Sequence, residues 1–248
     1  MSDTSFRKVS AGRGLAWVTE GFGLFKRSPG LWIGAILLWF AAAVLLSLIP
    51  LVGSLAFNLC FAMVLGGFLL AAREQDEGQT LRLQTLFAAF KPPHLEPLLL
   101  LGVAYLVIGL VMALAVVILV VLVFGTAVLS GDMQDFNLGL GAIIATILSL
   151  LMIAAFSLAT WFAPGLVVFR GATVMEALKL SFKAGLGNLG ALSAYGLVAI
   201  GLGLLAIIPF GLGLILLAPV MMASAWRCYR DIFGSGDEPA AEPEPSVL

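Results

Sequence analysis

Charge is what this 248-residue sequence has least of: 11% of its residues are Asp, Glu, Lys or Arg, against 61% that are apolar. A soluble domain carries roughly 25% charged residues, because polar side chains must coat its outside. Thirteen basic and 14 acidic residues, gathered in short stretches, do not coat a core of this length, so an ordinary soluble fold is excluded. The formal net charge of -1 gives no electrostatic footprint for nucleic acid. Cysteine is almost missing too. Cys60 sits inside an apolar run and Cys228 at the end of another, which gives neither a disulfide framework nor metal-ligand spacing. The single histidine, His94, stands among Pro92, Pro93 and Pro97 without partners for a metal site or a catalytic triad. No His-Glu-x-x-His, G-x-S-x-G or phosphate loop occurs. No ionisable residue lies within the long apolar runs, where one would mark a proton relay or ion path. The expectation is a protein that is not an enzyme, with no catalytic residue, metal ligand or cofactor.

What is present is long apolar runs. About 20 apolar residues cross roughly 30 Å of hydrocarbon at 1.5 Å per residue. Six segments qualify, at about 31–49, 51–72, 97–124, 138–163, 189–208 and 210–226. Pro50 and Pro209 each separate two runs, as tight reversals between helices. The turn-rich stretch 125–137 separates the middle pair. The predicted fold is all-α and integral to a membrane: six transmembrane helices as three helical hairpins. A barrel would show alternating ten-residue segments instead. The first run begins behind a 30-residue lead and passes directly into the second, which fits a cleavable signal peptide poorly.

Lysine and arginine mark the cytoplasmic side of a span. All 13 obey one topology: Arg7, Lys8, Arg13, Lys26 and Arg27 before the first span, and Arg73, Arg82 and Lys91 between the second and third. Arg170, Lys179 and Lys183 follow between the fourth and fifth, and Arg227 and Arg230 after the sixth. Both termini are expected in the cytoplasm. Trp32, Trp161 and Trp226 fall at cytoplasmic span ends, where an indole favours the headgroup boundary.

A short amphipathic segment precedes each hairpin, and the three align on Phe25-Lys26, Phe90-Lys91 and Phe182-Lys183. Apolar positions at Leu15, Val18, Phe22 and Phe25, at Leu83, Leu86, Phe87 and Phe90, and at Met175, Leu178 and Phe182 follow helical spacing. Thr173 with Glu176 is a capping box opening the third. Ile49-Pro50 matches Ile208-Pro209, and Ala163-Pro164 matches Ala218-Pro219. The reading is a three-fold parallel repeat of interfacial helix plus hairpin, unlike the inverted repeats of alternating-access transporters. Residues 1–30 form the lead with its interfacial helix, 31–233 the six-span domain, and 234–248 an acidic, proline-containing tail expected to be disordered.

Phe25-Lys26-Arg27-Ser28-Pro29, Ala163-Pro164-Gly165-Leu166-Val167, and Ala177-Leu178-Lys179-Leu180-Ser181 running on to Asn188 carry a family likeness. The chain resembles, over roughly residues 9–233, a set of uncharacterised bacterial inner-membrane proteins. These are similar to the six-helix membrane domain attached to some glycerophosphodiester phosphodiesterases. The resemblance implies the architecture and a bacterial cytoplasmic membrane. It supplies no catalytic residues, since the hydrolase domain is absent.

Two groups of residues are candidate sites. The cytoplasmic ring presents Phe25, Lys26, Arg27, Phe90, Lys91, Lys179, Phe182 and Lys183 to membrane lipids, anionic ones in particular, or to a membrane-protein partner or second copy. Asn58 is the one amide near mid-span and, with the span hydroxyls, the only material for a polar path. The expected role is a non-enzymatic lipid- or partner-binding membrane module, with a small-molecule or lipid transporter or channel as the alternative. Gly185 to Gly190 matches the dinucleotide fingerprint G-x-G-x-x-G, but no strand precedes it and an apolar run follows, so a helix break is expected. Asp132 and Asp135 read as a solvated turn. Gly196, Gly201, Gly203, Gly211 and Gly213 crowd the third hairpin, which is therefore expected to make the tightest helix contact, either within the chain or between protomers.

Overall fold

A computed structural model describes residues 6–130 and 136–234, with the side chains of 123–130 and 136–138 left aside. Asp132, Asp135 and the acidic tail from 235 onward lie outside the described residues. All regular structure among those described is helical: α1 (Arg13–Arg27), α2 (Pro29–Ser47), α3 (Val52–Asp76), α4 (Leu83–Leu86) with a 3-10 turn at Ala88–Phe90, α5 (Leu95–Ser130), α6 (Phe136–Trp161), α7 (Ala163–Arg170), α8 (Val174–Gly187), α9 (Leu189–Ile207) and α10 (Gly213–Phe233).

Five described segments are long and apolar enough to cross a membrane: Pro29–Ser47, Val52–Asp76, Leu95–Leu122, Gly139–Arg170 and Leu189–Ile207. The sixth expected span does not meet the same measure. Its helix, α10, begins at Gly213 and carries Arg227, Arg230 and Asp231 in its last two turns. The apolar part between covers only about 20 Å at helical rise, short of the hydrocarbon thickness. Helix also reaches into the stretch 125–137, expected to be turn-rich: α5 continues to Ser130 and α6 begins at Phe136.

The two proline turns share one geometry. Leu51 and Phe210, each following the proline, adopt positive φ of 62° and 55°, a conformation that non-glycine residues rarely hold. Behind each turn a glycine lets the next helix fold back closely. A Cβ on Gly53 would lie 1.7 Å from the Leu46 carbonyl oxygen, and one on Gly213 would lie 2.6 Å from the Ala206 Cα. The Ile-Pro correspondence between the first and third units therefore extends to backbone conformation.

The three leading segments are less alike than their spacing suggests. α8 forms as expected, and its capping box is present: the Thr173 backbone N–H donates to Glu176 Oε2 at 3.0 Å. The second segment is a single α turn and a 3-10 turn, stopped by Pro92 and Pro93. α1 is a full helix, but it is rotated from the predicted register. It buries Gly14, Trp17, Val18, Gly21, Leu24 and Phe25, while Leu15 and Phe22 are exposed. Glycine sets this face: a Cβ on Gly14 would stand 2.4 Å from the Ala191 carbonyl of α9, and one on Gly21 would stand 2.6 Å from the Ser224 nitrogen of α10. α1 thus makes close backbone contacts with both α9 and α10. Gly196, Gly201 and Gly203 have open space beside them, so they make no close helix contact within the chain.

The motif-bearing stretches are coupled physically. α6 breaks at Phe162 before Ala163-Pro164, and Ser181 of α8 spans the break. Its hydroxyl donates to the Leu158 carbonyl at 2.7 Å and accepts from the Phe162 N–H at 3.1 Å. Asn188, at the α8–α9 break, donates to the Arg7 and Ala184 carbonyls and accepts from the Val9 N–H at 2.8 Å. The glycine-rich 185–190 stretch is therefore a helix break, as expected, and its Asn188 clamps the N-terminal lead.

Candidate functional site

One end of the bundle collects the charge. The Asp76 carboxylate, 7% exposed, ends α3 and accepts from Arg227 at 2.6 Å, from the Trp226 indole at 2.9 Å and from Arg230. Asp231 on α10 accepts from the Trp17 indole at 2.7 Å and from Arg13 of α1. Glu20 pairs with Arg13 at 2.9 Å and approaches Arg227 at 3.8 Å. Gln75 accepts from the Trp32 indole through its side chain and from Arg27 through its backbone carbonyl, both at 2.9 Å. Four helices, α1, α2, α3 and α10, are thereby stitched together. The hydrogen bond to Asp231 leads in raising the Arg13 pKa. Burial lowers that of Arg227, against the opposing pull of Asp76. Removing one partner of such a buried set leaves the others uncompensated, at about 3–5 kcal/mol.

These acids were invisible as a site in the sequence, where they only offset basic charge. Trp32 and Trp226 are fully buried donors in this network and not boundary indoles; Trp161 alone of the three keeps an exposed face.

The lysines behave differently. Lys8, Lys26, Lys91, Lys179 and Lys183 are exposed, and among the described residues none of them makes an ion pair. Lys26 lies over the Phe22 ring at 5.0 Å. The predicted ring residues divide accordingly. Phe25 is 7% exposed and belongs to the core, so its ring does not face lipid or a partner. Phe90 and Phe182 are half-buried, with Phe90 edge-on to Trp39 at 6.3 Å. Arg27 is exposed but committed to Gln75, while Lys26, Lys91, Lys179 and Lys183 point outward.

Asn58 is exposed, and its amide donates to the Ser54 carbonyl of its own helix at 2.8 Å. It also lines a cavity of about 460 Å³ among α3, α5, α6, α9 and α10. The wall is mainly apolar and aromatic. Its hydroxyls are mostly satisfied: Tyr105 donates to the Thr160 carbonyl at 2.9 Å, Thr160 to the Phe156 carbonyl at 2.8 Å, and Tyr195 shares a hydrogen with Ser224 at 2.7 Å. Tyr229 is the exception. It is 1% exposed and its hydroxyl has no hydrogen-bond partner, which ordinarily costs about 1–3 kcal/mol. No group of three or more His, Cys, Asp or Glu suited to a metal occurs among the described residues.

Comparison with known proteins adds an identity without an activity. Residues 18–247 match a family described as a domain of unknown function, DUF7847. A probable inner membrane protein of Burkholderia thailandensis is 27% identical over 275 aligned positions, spanning 97% of each chain. Neither match names a glycerophosphodiester phosphodiesterase. No solved structure matches.

Proposed function

Since this chain belongs to the DUF7847 family, described as a domain of unknown function, we propose its role from its own residues: a non-enzymatic, multi-pass inner-membrane module that binds anionic lipid through an outward belt of lysines. The observation that carries this is the division of the cations. Most arginines are spent on acids, carbonyls and rings inside the protein, whereas the lysines are left facing outward.

The reading includes six crossings with both termini cytoplasmic. A parity argument supports it. Asp76 at the end of α3 touches Arg227 and Arg230 at the end of α10, so an even number of crossings must separate them. α5, α6 and α9 supply three, and α10 is the fourth, with its charged turns at the headgroup level. α1 joins the same cluster before α2 and α3 cross. All 13 basic residues then fall on one side, as the positive-inside bias requires.

Transport is the rival role. A solute path needs a hydrated lining, yet the cavity hydroxyls of Tyr105, Thr160 and Tyr195 are already bonded within the protein, which favours a binding module.

The test is native mass spectrometry of the protein from mixed phosphatidylglycerol and phosphatidylethanolamine nanodiscs. Each surface lysine contributes roughly 1 kcal/mol toward anionic lipid, about fivefold in affinity. Replacing Lys26, Lys91, Lys179 and Lys183 with glutamine is expected to abolish phosphatidylglycerol enrichment. Unchanged enrichment contradicts the proposal, and a stoichiometric second protein in place of lipid would redirect it to partner binding.

A further inference from the structure

We propose that the bilayer is thinned beside the first and third hairpins, where the outer headgroups come down to meet the turns at Pro50 and Pro209. The inference rests on the six crossings proposed above and adds the depth that each hairpin reaches. Exposure along the helices measures that depth. On α5 large apolar side chains are exposed at every turn from Leu99 to Leu122, about 35 Å at helical rise, enough for a full hydrocarbon layer. On α3 the exposed stretch ends at Phe61, and Ala62, Met63, Val64 and Phe68 behind it are covered by protein. On α10 it ends at Leu216, before the buried Pro219 and Val220. Counting its turn, each of these two arms faces lipid over only about 10–15 Å.

Helix contacts lead to the same depths. A Cβ on Gly102 of α5 would lie 2.3 Å from the Leu59 carbonyl oxygen of α3, so the two helices are level there. Eight residues outward from this contact stand Leu51, at the tip of the first hairpin, and Leu110 on α5, both exposed. α5 keeps an exposed apolar face for about 18 Å beyond Leu110. In the third hairpin, the Tyr195 hydroxyl of α9 meets Ser224 of α10 at 2.7 Å, and its ring lies 5.9 Å from that of Trp161 at the end of α6. From that layer α9 runs about 18 Å to Ile207, whereas the apolar part of α6 runs about 33 Å to Gly139.

A short span is accommodated by snorkelling of flanking side chains, by oligomerisation or by thinning of the bilayer. Snorkelling is closed to these turns, because residues 48–53 and 196–223 contain no charged, amide or hydroxyl side chain. Oligomerisation covers the sides of a hairpin and brings its tip no nearer the outer surface. The turns are also unsuited to undeformed hydrocarbon. Leu51 and Phe210 are exposed, non-helical and at positive φ, and lipid-exposed irregular backbone does not occur within that layer. The outer leaflet therefore descends to the turns, and lipid with short acyl chains fits the first and third hairpins best.

The experiment places the full-length protein in nanodiscs of dimyristoyl, dioleoyl or dierucoyl phosphatidylglycerol, so that the lysine belt meets the same headgroup throughout. Resistance to unfolding is expected to be greatest with the myristoyl chains and to fall as the chains lengthen. A membrane-impermeant maleimide then reports depth at Leu51→Cys, Phe210→Cys and Leu110→Cys. Each is made with Cys60→Ala, while the buried Cys228 is kept. All three sites are exposed, so the fold loses no packing. The two turn positions are expected to react and Leu110→Cys to stay protected, although it is level with Leu51. Protection of all three places the turns in hydrocarbon and overturns the thinning together with the six crossings. Reaction at the turns with stability indifferent to chain length overturns the thinning alone. Reaction at Leu110→Cys as well means an aqueous path and also overturns it. The lysine belt is read out by headgroup and the thinning by chain length, so either reading can fail alone.

Discussion

The charged end of the bundle and the long helices α5 and α6 are built on opposite terms. In α3, which runs into the charged end, half of its most apolar 18-residue window is buried; in the windows of α5 and of the α6–α7 stretch only 6% is. Valines and leucines there, such as Leu110 at 70% exposure, face outward. In water that would be a large exposed apolar patch, but in lipid an exposed leucine has nothing to gain from burial. The specificity of the fold therefore has to come from the other region, where indoles, carboxylates, guanidinium groups and glycines fix which helix meets which. The difference teaches that apolar content tells where the chain resides, while scarce polar residues tell how it folds.

The comparison is broken most severely at its centre. Asp76→Ala leaves Arg227, Arg230 and the Trp226 indole without their shared acceptor, and a stability loss of about 3–5 kcal/mol is expected in chemical or thermal unfolding. A variant as stable as the wild type would remove the charged end from its organising role.

A smaller effect is expected where α1 presses on α10. Gly21→Val places its Cβ 2.6 Å from the Ser224 backbone nitrogen, and displacement of α1 should cost about 1–3 kcal/mol. Gly23→Val, two residues on, meets nothing within 4 Å and is the control for propensity alone. Equal losses in the two would mean that the close approach contributes nothing.

The smallest effect belongs to the outward helices. Gly201→Ala adds a methyl group into open space and should raise stability by no more than about 1 kcal/mol, through improved helix propensity alone. A loss above 1.5 kcal/mol would restore the tight third hairpin expected from the sequence.

These contrasts explain what could be read in advance. Apolar runs, the proline turns and the Thr173–Glu176 capping box were legible because each is a local rule, satisfied within a few residues. The rotation of α1 was not, since hydrophobic spacing treats Gly14 and Gly21 as neutral, although they mark its close contacts with α9 and α10. Phe25 followed Phe22 in the pattern, yet the glycine face carried it into the core. The acids Glu20, Asp76 and Asp231 were counted as charge because their partners lie on other helices. The shortened apolar part of α10 and the cavity beside Tyr229 are products of helix packing, which no single segment encodes. Among the predicted site residues the lysines kept their outward place, and Asn58 was found on the cavity wall with its amide bonded to its own helix.

The most direct test of the account sets the two kinds of cation against each other. Phosphatidylglycerol enrichment and unfolding stability would be measured together on the wild type, on the glutamine quartet at Lys26, Lys91, Lys179 and Lys183, and on Arg227→Gln. The account predicts that the quartet loses lipid enrichment at unchanged stability, while Arg227→Gln loses stability and keeps the enrichment of its folded fraction. Lipid selectivity that follows the arginine and ignores the lysines would contradict it.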